Sequence, residues 1–379
     1  MDPRVFLFAL ATFVTGTAEN IIVGLVLEVA SGLHVSVALA GQLTAVFSLS
    51  FALMAPCVPL LGHQIRPRPL YLSALALFVF GNVLAALSPS FTLLFLARMI
   101  MACASAVVCV LATTLITKLV PASLRGRAIG LIFMGISGSL VLGVPIGMML
   151  GQWSGWRSVF SMLAAVATVV LLLSWRYIPT SEPDTKMQLS YRRHLANRRL
   201  LAAQGVSVLM IAGHFALFAY LLPYLLDVEA LTPEGSAYAF GIMGLAGVLG
   251  GYAGGRLADR LPAALALKLV PTLYLGALLS LPFLLNHLLW LGSLMLLLWC
   301  CISWMISPVV QSFLIRTDSE SSQAGISLNF SAMHIGVGLG TAFGGFVLNR
   351  FSVASLPVAA AFLAALSVLL AFIAARPSR

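Results

Sequence analysis

Long apolar stretches separated by short polar segments run along almost the whole chain. Twelve of these stretches contain 18 or more residues and carry almost no charge, which is the pattern of membrane-spanning helices. We therefore predict an all-α integral membrane protein with twelve transmembrane helices, called spans 1 to 12 below. The predicted spans are residues 4–27, 38–61, 70–87, 92–119, 128–152, 158–175, 201–226, 237–255, 263–285, 288–315, 324–348 and 356–375.

Residues 176–200 form the one long polar segment of the chain. Six of the 21 Lys and Arg residues lie in it, and mostly apolar sequence of similar length lies on either side. We interpret this segment as a basic cytoplasmic linker. It joins an N-terminal six-helix bundle, residues 1–175, to a C-terminal six-helix bundle, residues 201–379.

Basic residues are distributed unevenly between the predicted loops. With twelve spans, 18 of the 21 Lys and Arg residues lie on the side of the two termini; Arg157 and Arg350 lie on the other side, and Arg98 lies within span 4. Because basic loops remain in the cytoplasm, we expect both termini to be cytoplasmic, in a bacterial inner membrane. The concentration of basic residues in cytoplasmic loops accounts for the net charge of +10. We therefore expect no nucleic acid as a partner.

The composition agrees with a membrane protein. Hydrophobic residues make up 61% of the chain and charged residues 8%, whereas a soluble domain is roughly 45–50% apolar and about 25% charged. The five cysteines lie in apolar runs without metal-ligand spacing, so we interpret them as buried hydrophobic residues. The first apolar run is too long for a cleavable signal peptide, and we count it as span 1.

An internal repeat relates the two halves at an offset of 193 residues. Gly62 after span 2 corresponds to Gly255 at the end of span 8, and Arg157 after span 5 corresponds to Arg350 after span 11. The glycines of span 5 correspond in the same way to those of span 11. The same offset relates three separate regions of the two halves. We therefore predict two pseudo-symmetric six-helix bundles related by a parallel duplication, an architecture used by transporters.

Glycines recur at intervals of four residues in spans 5, 8 and 11, which places them on one face of each helix. Such a face lets a second helix approach closely. Packing is the immediate interpretation, and a contact along which two halves rock is the functional one. With the proline that interrupts span 5, the residues are Gly143, Pro145, Gly147, Gly247, Gly251, Gly255, Gly336 and Gly340.

Asp259 and Arg260 lie in the loop that we predict after span 8. Asp259 either accepts hydrogen bonds from nearby cations or caps the start of span 9, where the helix dipole favours an anion. A charge cluster there can hold the cytoplasmic side closed. The alternative is an ordinary solvated basic loop.

Glu19 is the strongest candidate for a functional group. It lies about eight residues before the predicted end of span 1, roughly 12 Å inside the membrane, where an ionised carboxylate is costly unless it is protonated, paired or hydrated. Arg98 enters span 4 from the same side, at a depth of roughly 9 Å, so the two side chains can pair. A buried carboxylate beside a cation can carry protons. The alternatives are a structural ion pair and a glutamate that reaches water.

Other polar and aromatic residues within the spans are weaker candidates for substrate contacts. His214 and His334 can titrate near neutral pH, although a lone intramembrane histidine is more often a packing residue. Thr12 and Thr15 share a helix face with Glu19. The remaining cavity candidates are Asn20, Gln42, Phe215, Tyr220, Trp304 and Asn329.

Several kinds of chemistry have no motif in the chain. There is no P-loop, no cysteine–histidine cluster, no G-x-S-x-G and no paired-carboxylate site. We therefore expect no cofactor, no metal and no enzymatic activity. Energy for any transport is expected to come from an ion gradient.

Several sequence runs resemble one known family. They include TAENIIVGLVLEVA, GNVLAALSPSFTLLFLAR, PASLRGRAIG, LGVPIGMMLGQWSGWRSVF, GGRLADR and GVGLGTAFGG. With them the chain resembles the major facilitator superfamily, in particular the twelve-helix drug:proton antiporter group with its arabinose-efflux-like permeases. The GVPIG run followed by GWR resembles the fifth-helix signature associated with exporters.

This resemblance implies a fold and several residue roles. It implies two bundles that rock between inward- and outward-facing states around a cavity lined by spans 1, 4, 7 and 10, with spans 5 and 8, and 2 and 11, meeting across the halves. Arg98 matches the arginine that such families link to proton transfer. Gly255, Asp259 and Arg260 match the gating pattern G-x-x-x-D-R. The first-half copy departs from it, with Arg66 in place of the aspartate, and His334 stands where relatives often have asparagine.

We therefore predict a monomeric, proton-coupled secondary transporter that exports a small organic compound, a drug-like molecule or a metabolite. Its partners are the substrate, protons and the lipid bilayer. Glu19 is predicted to handle the proton or a cationic substrate, and Arg98 to tune it. The alternatives are a sugar or nucleoside exporter, an uncoupled facilitator of the same fold and, from another class, a membrane receptor without transport.

Overall fold

The computed structural model describes residues 4–62, 65–119, 131–132, 135–136, 138–179, 191–228, 231–285 and 289–376. These residues are almost entirely helical, and none of them forms a β-strand, as the all-α prediction requires. The chain divides into two compact units between Met187 and Gln188. This division falls within the predicted linker, whose residues 180–190 lie outside the described part, so the bounds of linker and bundles stay predictions.

The described part of the first unit contains seven α-helices. They are α1 (Arg4–Leu33), α2 (Val37–Met54), α3 (Cys57–Gly62), α4 (Pro67–Ala86), α5 (Phe91–Leu119), α6 (Val144–Ser154) and α7 (Trp156–Tyr177). A π-helical turn, Ser139–Gly143, leads directly into α6. Helix α1 packs against α2, α5, α6 and α7 and supplies much of the core of the unit.

Nine α-helices are described in the second unit. They are α8 (Tyr191–Ala196), α9 (Arg198–Phe218), α10 (Leu221–Asp227), α11 (Pro233–Arg260), α12 (Ala263–Leu285), α13 (Leu289–Trp304), α14 (Ile306–Thr317), α15 (Ser322–Arg350) and α16 (Leu356–Ala374). Helix α9 packs along α15 and α16, while α11 packs against α13 and α14.

Ten stretches of the described helices are long and apolar enough to cross a membrane. Two of the twelve predicted spans are not among them. Span 5 appears as a shorter apolar helix, Ser139–Ser154, because most of its first half lies outside the described residues. Span 8 corresponds to α11, which has 28 residues but is less apolar because it is rich in glycine.

Three predicted spans are wrong in one respect, since each is broken rather than continuous. Span 2 is divided into α2 and α3 at Pro56, span 7 into α9 and α10 before Pro223, and span 10 into α13 and α14 before Pro308. A proline has no N–H for the carbonyl four residues earlier, and its ring clashes with that carbonyl. The π-helical turn before Pro145 has the same cause.

Some predicted ends are also wrong. Helix α1 continues to Leu33 rather than residue 27, and α11 continues to Arg260 rather than residue 255. Asp259 and Arg260 therefore lie on the last helical turn and not in a loop, and Asp259 does not cap the next helix. The guanidinium of Arg316 caps the end of this helix. It donates hydrogen bonds to the main-chain oxygen of Ala258, at 3.0 Å, and to that of Leu261.

Candidate functional site

Arg98 lies at the centre of the first unit and is completely buried. Its Nε donates to the main-chain oxygen of Leu43 in α2 at 3.2 Å, and its Nη2 donates to that of Glu19 in α1 at 3.0 Å. Its Nη1 donates to the main-chain oxygen of Ala18. The guanidinium also lies 4.3 Å from the ring centroid of Phe47. Arg98 thus joins α1, α2 and α5 through charge-assisted hydrogen bonds, which are stronger than neutral ones.

The side chain of Glu19 is partly exposed, unlike its neighbours on α1. Its carboxylate interacts electrostatically with the guanidinium of Arg98. The structure therefore brings together the two residues that the sequence analysis paired. Helix α1 continues 14 residues beyond Glu19, to Leu33, rather than the eight residues that we predicted for span 1.

The polar residues around Glu19 on α1 have hydrogen-bond partners within the unit. Thr12 donates to the main-chain oxygen of Ile132 at 3.0 Å, and Thr15 contacts the Sγ of Cys109 at 3.6 Å. Asn20 donates to the main-chain oxygen of Gly16 at 3.0 Å. All three side chains are buried, and Glu19 is the more accessible group.

Gln42, another cavity candidate, lies on α2. Its Nε2 donates to the main-chain oxygen of Ala38, one helical turn earlier, at 3.3 Å. The side chain is partly buried. It lies one residue before Leu43, whose carbonyl accepts from Arg98.

His214 lies in an aromatic cluster of the second unit. Its ring stacks on Phe218, with centroids 5.0 Å apart, and lies 4.6 Å from Trp299 and 5.3 Å from Phe215. The side chain is buried, and neither ring nitrogen has a hydrogen-bond partner among the described residues. The predicted aromatic lining is therefore present around His214, as a packed cluster.

Two further aromatic candidates lie at helix breaks. The hydroxyl of Tyr220 donates to the main-chain oxygen of Thr341 at 3.1 Å, which joins the break between α9 and α10 to α15. Trp304, at the end of α13, is partly buried and lies against Gly247 of α11. Both residues thus fix positions where proline interrupts a span.

His334 and Asn329 on α15 lie in different environments. The Nδ1 of His334 lies 2.9 Å from the main-chain oxygen of Phe330, and its side chain is partly exposed. Asn329 is buried and donates to Gln204 and to Ser207, both at 2.9 Å. Asn329 therefore joins α15 to α9, and His334 remains the more accessible of the two.

A buried polar network around His194 was missed by the sequence analysis. Gln204 donates from its Nε2 to the Nε2 of His194, at 3.1 Å, and to the main-chain oxygen of Gly325, at 2.9 Å, and its Oε1 accepts from Asn329. This pattern places the imidazole proton on Nδ1. Burial lowers the pKa of His194, and the charge of Asp318 opposes this effect more weakly.

An ion-pair cluster holds the same short helix, α8, from outside. Arg193 donates to Asp318 at 3.0 Å and pairs with Glu320. A hydrogen bond from Ser321, together with Arg193, lowers the pKa of Asp318. These partners lie about 120 positions apart in the chain, so no local pattern could have identified the network or the cluster.

The glycine faces of spans 5 and 11 are occupied within their own units. A Cβ at Gly143 or Gly147 would overlap Thr17 or Ile21 of α1, and Gly336 and Gly340 lie equally close to α9. The further glycines of these two faces, Gly151 and Gly344, pack in the same way. Helix packing therefore accounts for both glycine faces. The internal repeat of the sequence appears in the structure as the same helix contact in each unit, α6 against α1 and α15 against α9.

The glycines of α11 form two different faces. Gly250 and Gly254 lie against the backbone of Cys301 and Met305. A Cβ at Gly251 or Gly255 would meet no described atom within 4 Å. The last turn of this helix carries Asp259 and Arg260, both exposed, and Asp259 has no hydrogen-bond or ion-pair partner within the described part of the chain.

The described residues contain no group of three or more His, Cys, Asp or Glu side chains that could hold a metal. The five cysteines are free thiols. The described part of the chain thus offers charged, aromatic and hydrogen-bonding side chains, with Glu19 and Arg98 as its intramembrane charge pair.

Comparison with known proteins assigns the family. The chain is 32% identical over 374 residues to the uncharacterized MFS-type transporter YbcL of Bacillus subtilis, which covers 98% of this chain and 94% of that protein. It is 28% identical over 353 residues to a Helicobacter pylori protein named "Probable sugar efflux transporter", with 92% and 88% covered.

The fold agrees with a solved structure. A bacterial homologue of the human lysosomal transporter Spinster, in an inward-facing and unoccupied conformation, matches with a TM-score of 0.77 at 18% identity, covering 99% of this chain and 98% of that one. This match confirms the predicted twelve-helix fold. The model of the Major Facilitator Superfamily matches residues 8–324. The chain is therefore a multi-pass membrane transporter, not an enzyme, and it belongs to the Major Facilitator Superfamily.

Proposed function

We propose that this transporter exports a small organic compound in exchange for protons, and that Glu19 carries the proton. The observation that carries the proposal is the arrangement of Glu19 and Arg98. A partly exposed carboxylate lies in the middle of α1, and its charge interacts with a completely buried guanidinium. An intramembrane ionisable pair of this kind is a functional group by default.

Arg98 acts as a positioning residue in this mechanism. Its three hydrogen bonds to main-chain oxygens do not involve the carboxylate of Glu19. Protonation of Glu19 removes the attraction between the two side chains but leaves the guanidinium in place. Glu19 can then accept and release a proton while α1, α2 and α5 stay joined.

The substrate that we propose is a largely apolar, drug-like compound or metabolite. The hydroxyls of Thr12 and Thr15 and the side-chain nitrogen of Asn329 already have partners within their own units. His214 lies against the rings of Phe218 and Trp299. Aromatic surroundings of this kind favour dispersion and stacking over the many hydrogen bonds that a sugar requires.

Export of a sugar is the second candidate. It is supported by the name of the Helicobacter pylori relative, "Probable sugar efflux transporter", which matches 92% of this chain.

We further propose a bacterial inner membrane location with both termini in the cytoplasm, which rests on the distribution of basic residues. We also propose a monomeric transporter in which residues 176–200 form a cytoplasmic linker.

One experiment tests both candidates. Purified protein is reconstituted into liposomes that contain a pH-sensitive dye, a pH gradient is imposed, and a panel of sugars and lipophilic drugs is added. Proton flux that depends on a drug supports the first candidate, and flux that depends on a sugar supports the second. Compound movement without proton flux contradicts coupling and leaves a facilitator.

A further inference from the structure

The side chain of His214 is buried, and neither of its ring nitrogens has a hydrogen-bond partner among the described residues. A neutral imidazole carries one donor and one acceptor, so both are unpaired here. Buried polar atoms without partners cost stability, and such a group in a folded protein calls for an explanation. Phenylalanine would pack among the same aromatic rings without this cost. Packing alone therefore does not account for the imidazole.

The imidazole occupies a slot between two aromatic rings. It stacks on Phe218 with an angle of 20° between the ring planes, and its centroid lies 4.6 Å from that of Trp299 at an angle of 31°. Rings packed at such distances attract one another beyond the effect of burial alone. The slot thus holds one planar ring between two others, and the imidazole is that ring in this conformation.

The rings of His214 and Trp299 are held in different ways. The indole Nε1 of Trp299 donates to the hydroxyl of Tyr274 in α12 at 3.1 Å, which fixes the indole from a neighbouring helix. The imidazole has no such bond within the described part of the chain. Rotation of the imidazole therefore breaks ring contacts but no described hydrogen bond, while Trp299 stays in place as a stacking surface.

Helix breaks lie close to the slot on both helices that carry it. Phe218 is the last residue of α9, and Trp299 lies five residues before the end of α13 at Trp304. The chain continues into α10 and α14 after these two breaks. Element ends absorb the backbone changes of conformational transitions, and interrupted helices form the ligand sites of many transporters. The slot can therefore open without the unfolding of either helix.

We propose that this slot binds a planar aromatic heterocycle, which stacks on Trp299 in place of the imidazole and accepts a hydrogen bond from His214. The stack supplies affinity for flat aromatic compounds in general, and the imidazole selects those with a hydrogen-bond acceptor in the ring. This inference rests on the proposed function, because it names the class of the exported compound. It makes His214 a residue that determines specificity.

Two probes of the same shape, naphthalene and quinoline, test the hydrogen bond because they differ by one ring nitrogen. Isothermal titration calorimetry measures the binding of each to purified protein in detergent at neutral pH. We expect His214→Phe to bind quinoline about fivefold more weakly than the wild type, which corresponds to the loss of one hydrogen bond, and to bind naphthalene within about twofold of it. His34→Gln, at an exposed histidine, should match the wild type for both probes.

A second variant tests the stacking surface. Trp299→Leu removes the indole and should weaken both probes alike, by at least about fivefold. Thermal unfolding in detergent shows whether each variant is folded. If Trp299→Leu does not fold, the comparison of the two probes in His214→Phe still decides the question.

Three outcomes would overturn the proposal. One is binding of neither probe to the wild type, and another is unchanged affinity for quinoline in His214→Phe. The third is an equal loss of both probes in His214→Phe, which assigns the imidazole a role in shape alone. The proposed function fails by a different result, compound movement without proton flux in the liposome assay, so the two failures are distinguishable.

Discussion

The Nη2 atom of Arg98 lies 3.0 Å from the main-chain oxygen of Glu19, a residue 79 positions earlier in the chain. The arginine is therefore held by the backbone of α1 and not only by the side-chain charge of Glu19. The guanidinium joins the helices through main-chain oxygens, and its charge also acts on the carboxylate of Glu19.

Replacement of Arg98 by alanine should destabilise the first unit. The change removes three charge-assisted hydrogen bonds between helices and leaves a cavity, which costs roughly 3 kcal/mol. Arg98→Lys keeps the charge but not the planar fork, so it should recover less than half of the loss. Thermal unfolding in detergent measures both changes.

The matched control is Arg192→Ala, which removes an exposed arginine. It should change the unfolding free energy by less than about 0.5 kcal/mol. If Arg98→Ala is as stable as this control, the role of Arg98 in joining the helices is wrong.

Two glycine substitutions should distinguish a role in helix packing from a role in the movements of transport. Gly340→Ala places a Cβ against the backbone of Ala212 and should cost roughly 1–3 kcal/mol of stability. Gly251→Ala meets no described atom within 4 Å, so it should leave the unfolding temperature nearly unchanged. If the face of Gly251 moves during transport, Gly251→Ala slows transport nevertheless. Equal destabilisation by the two changes would argue against the contacts described here.

Helix α8 should detach from the second unit as the pH falls. Burial lowers the pKa of His194 from the ordinary value of 6.5, which favours the neutral imidazole in the fold. Below about pH 6.5 the detached state therefore binds a proton more readily than the docked state, so docking weakens as the pH drops. A protonated imidazole also carries a hydrogen on Nε2. That N–H would face the donating Nε2 of Gln204, so the hydrogen bond between the two side chains would be lost.

Hydrogen exchange of residues 191–196 at pH 8 and pH 5.5, corrected for intrinsic rates, measures this docking. His194→Gln should abolish the difference between the two pH values. His34→Gln, at an exposed position, should preserve it. Equal protection of the wild type at both pH values would rule out the pH-dependent contact.

His214→Phe should maintain or raise the stability of the second unit. Neither ring nitrogen of His214 has a partner among the described residues, and phenylalanine fits between aromatic rings without an unsatisfied polar atom. The expected gain is about 1 kcal/mol. His334→Phe, which loses the contact with Phe330, should show no such gain. A loss of stability in His214→Phe would reveal a polar role for the imidazole.

The twelve-span pattern and the proximity of Glu19 and Arg98 could be predicted because both follow from hydropathy and helix length. Span 9 even starts and ends where α12 does. Proline breaks were missed because a proline interrupts a membrane helix only where its neighbours satisfy the freed carbonyls. Pro271 lies within the continuous helix α12, whereas Pro223 and Pro308 follow breaks.

The polar network around His194 could not be predicted for a different reason. Its members, His194, Gln204, Gly325 and Asn329, come from three helices, and each is unremarkable in its local sequence. The glycine faces were recognised, but sequence spacing cannot tell which helix occupies them. Only the packing shows that Gly147 contacts α1 and Gly340 contacts α9.

The most direct test of the account compares Glu19→Gln with Glu28→Gln in the liposome assay. Both changes remove a carboxylate from α1, and the two residues lie nine positions apart, on opposite faces of the helix. We predict that compound-dependent proton flux disappears in Glu19→Gln and persists in Glu28→Gln. Flux that persists in Glu19→Gln would contradict the assignment of Glu19 as the proton carrier.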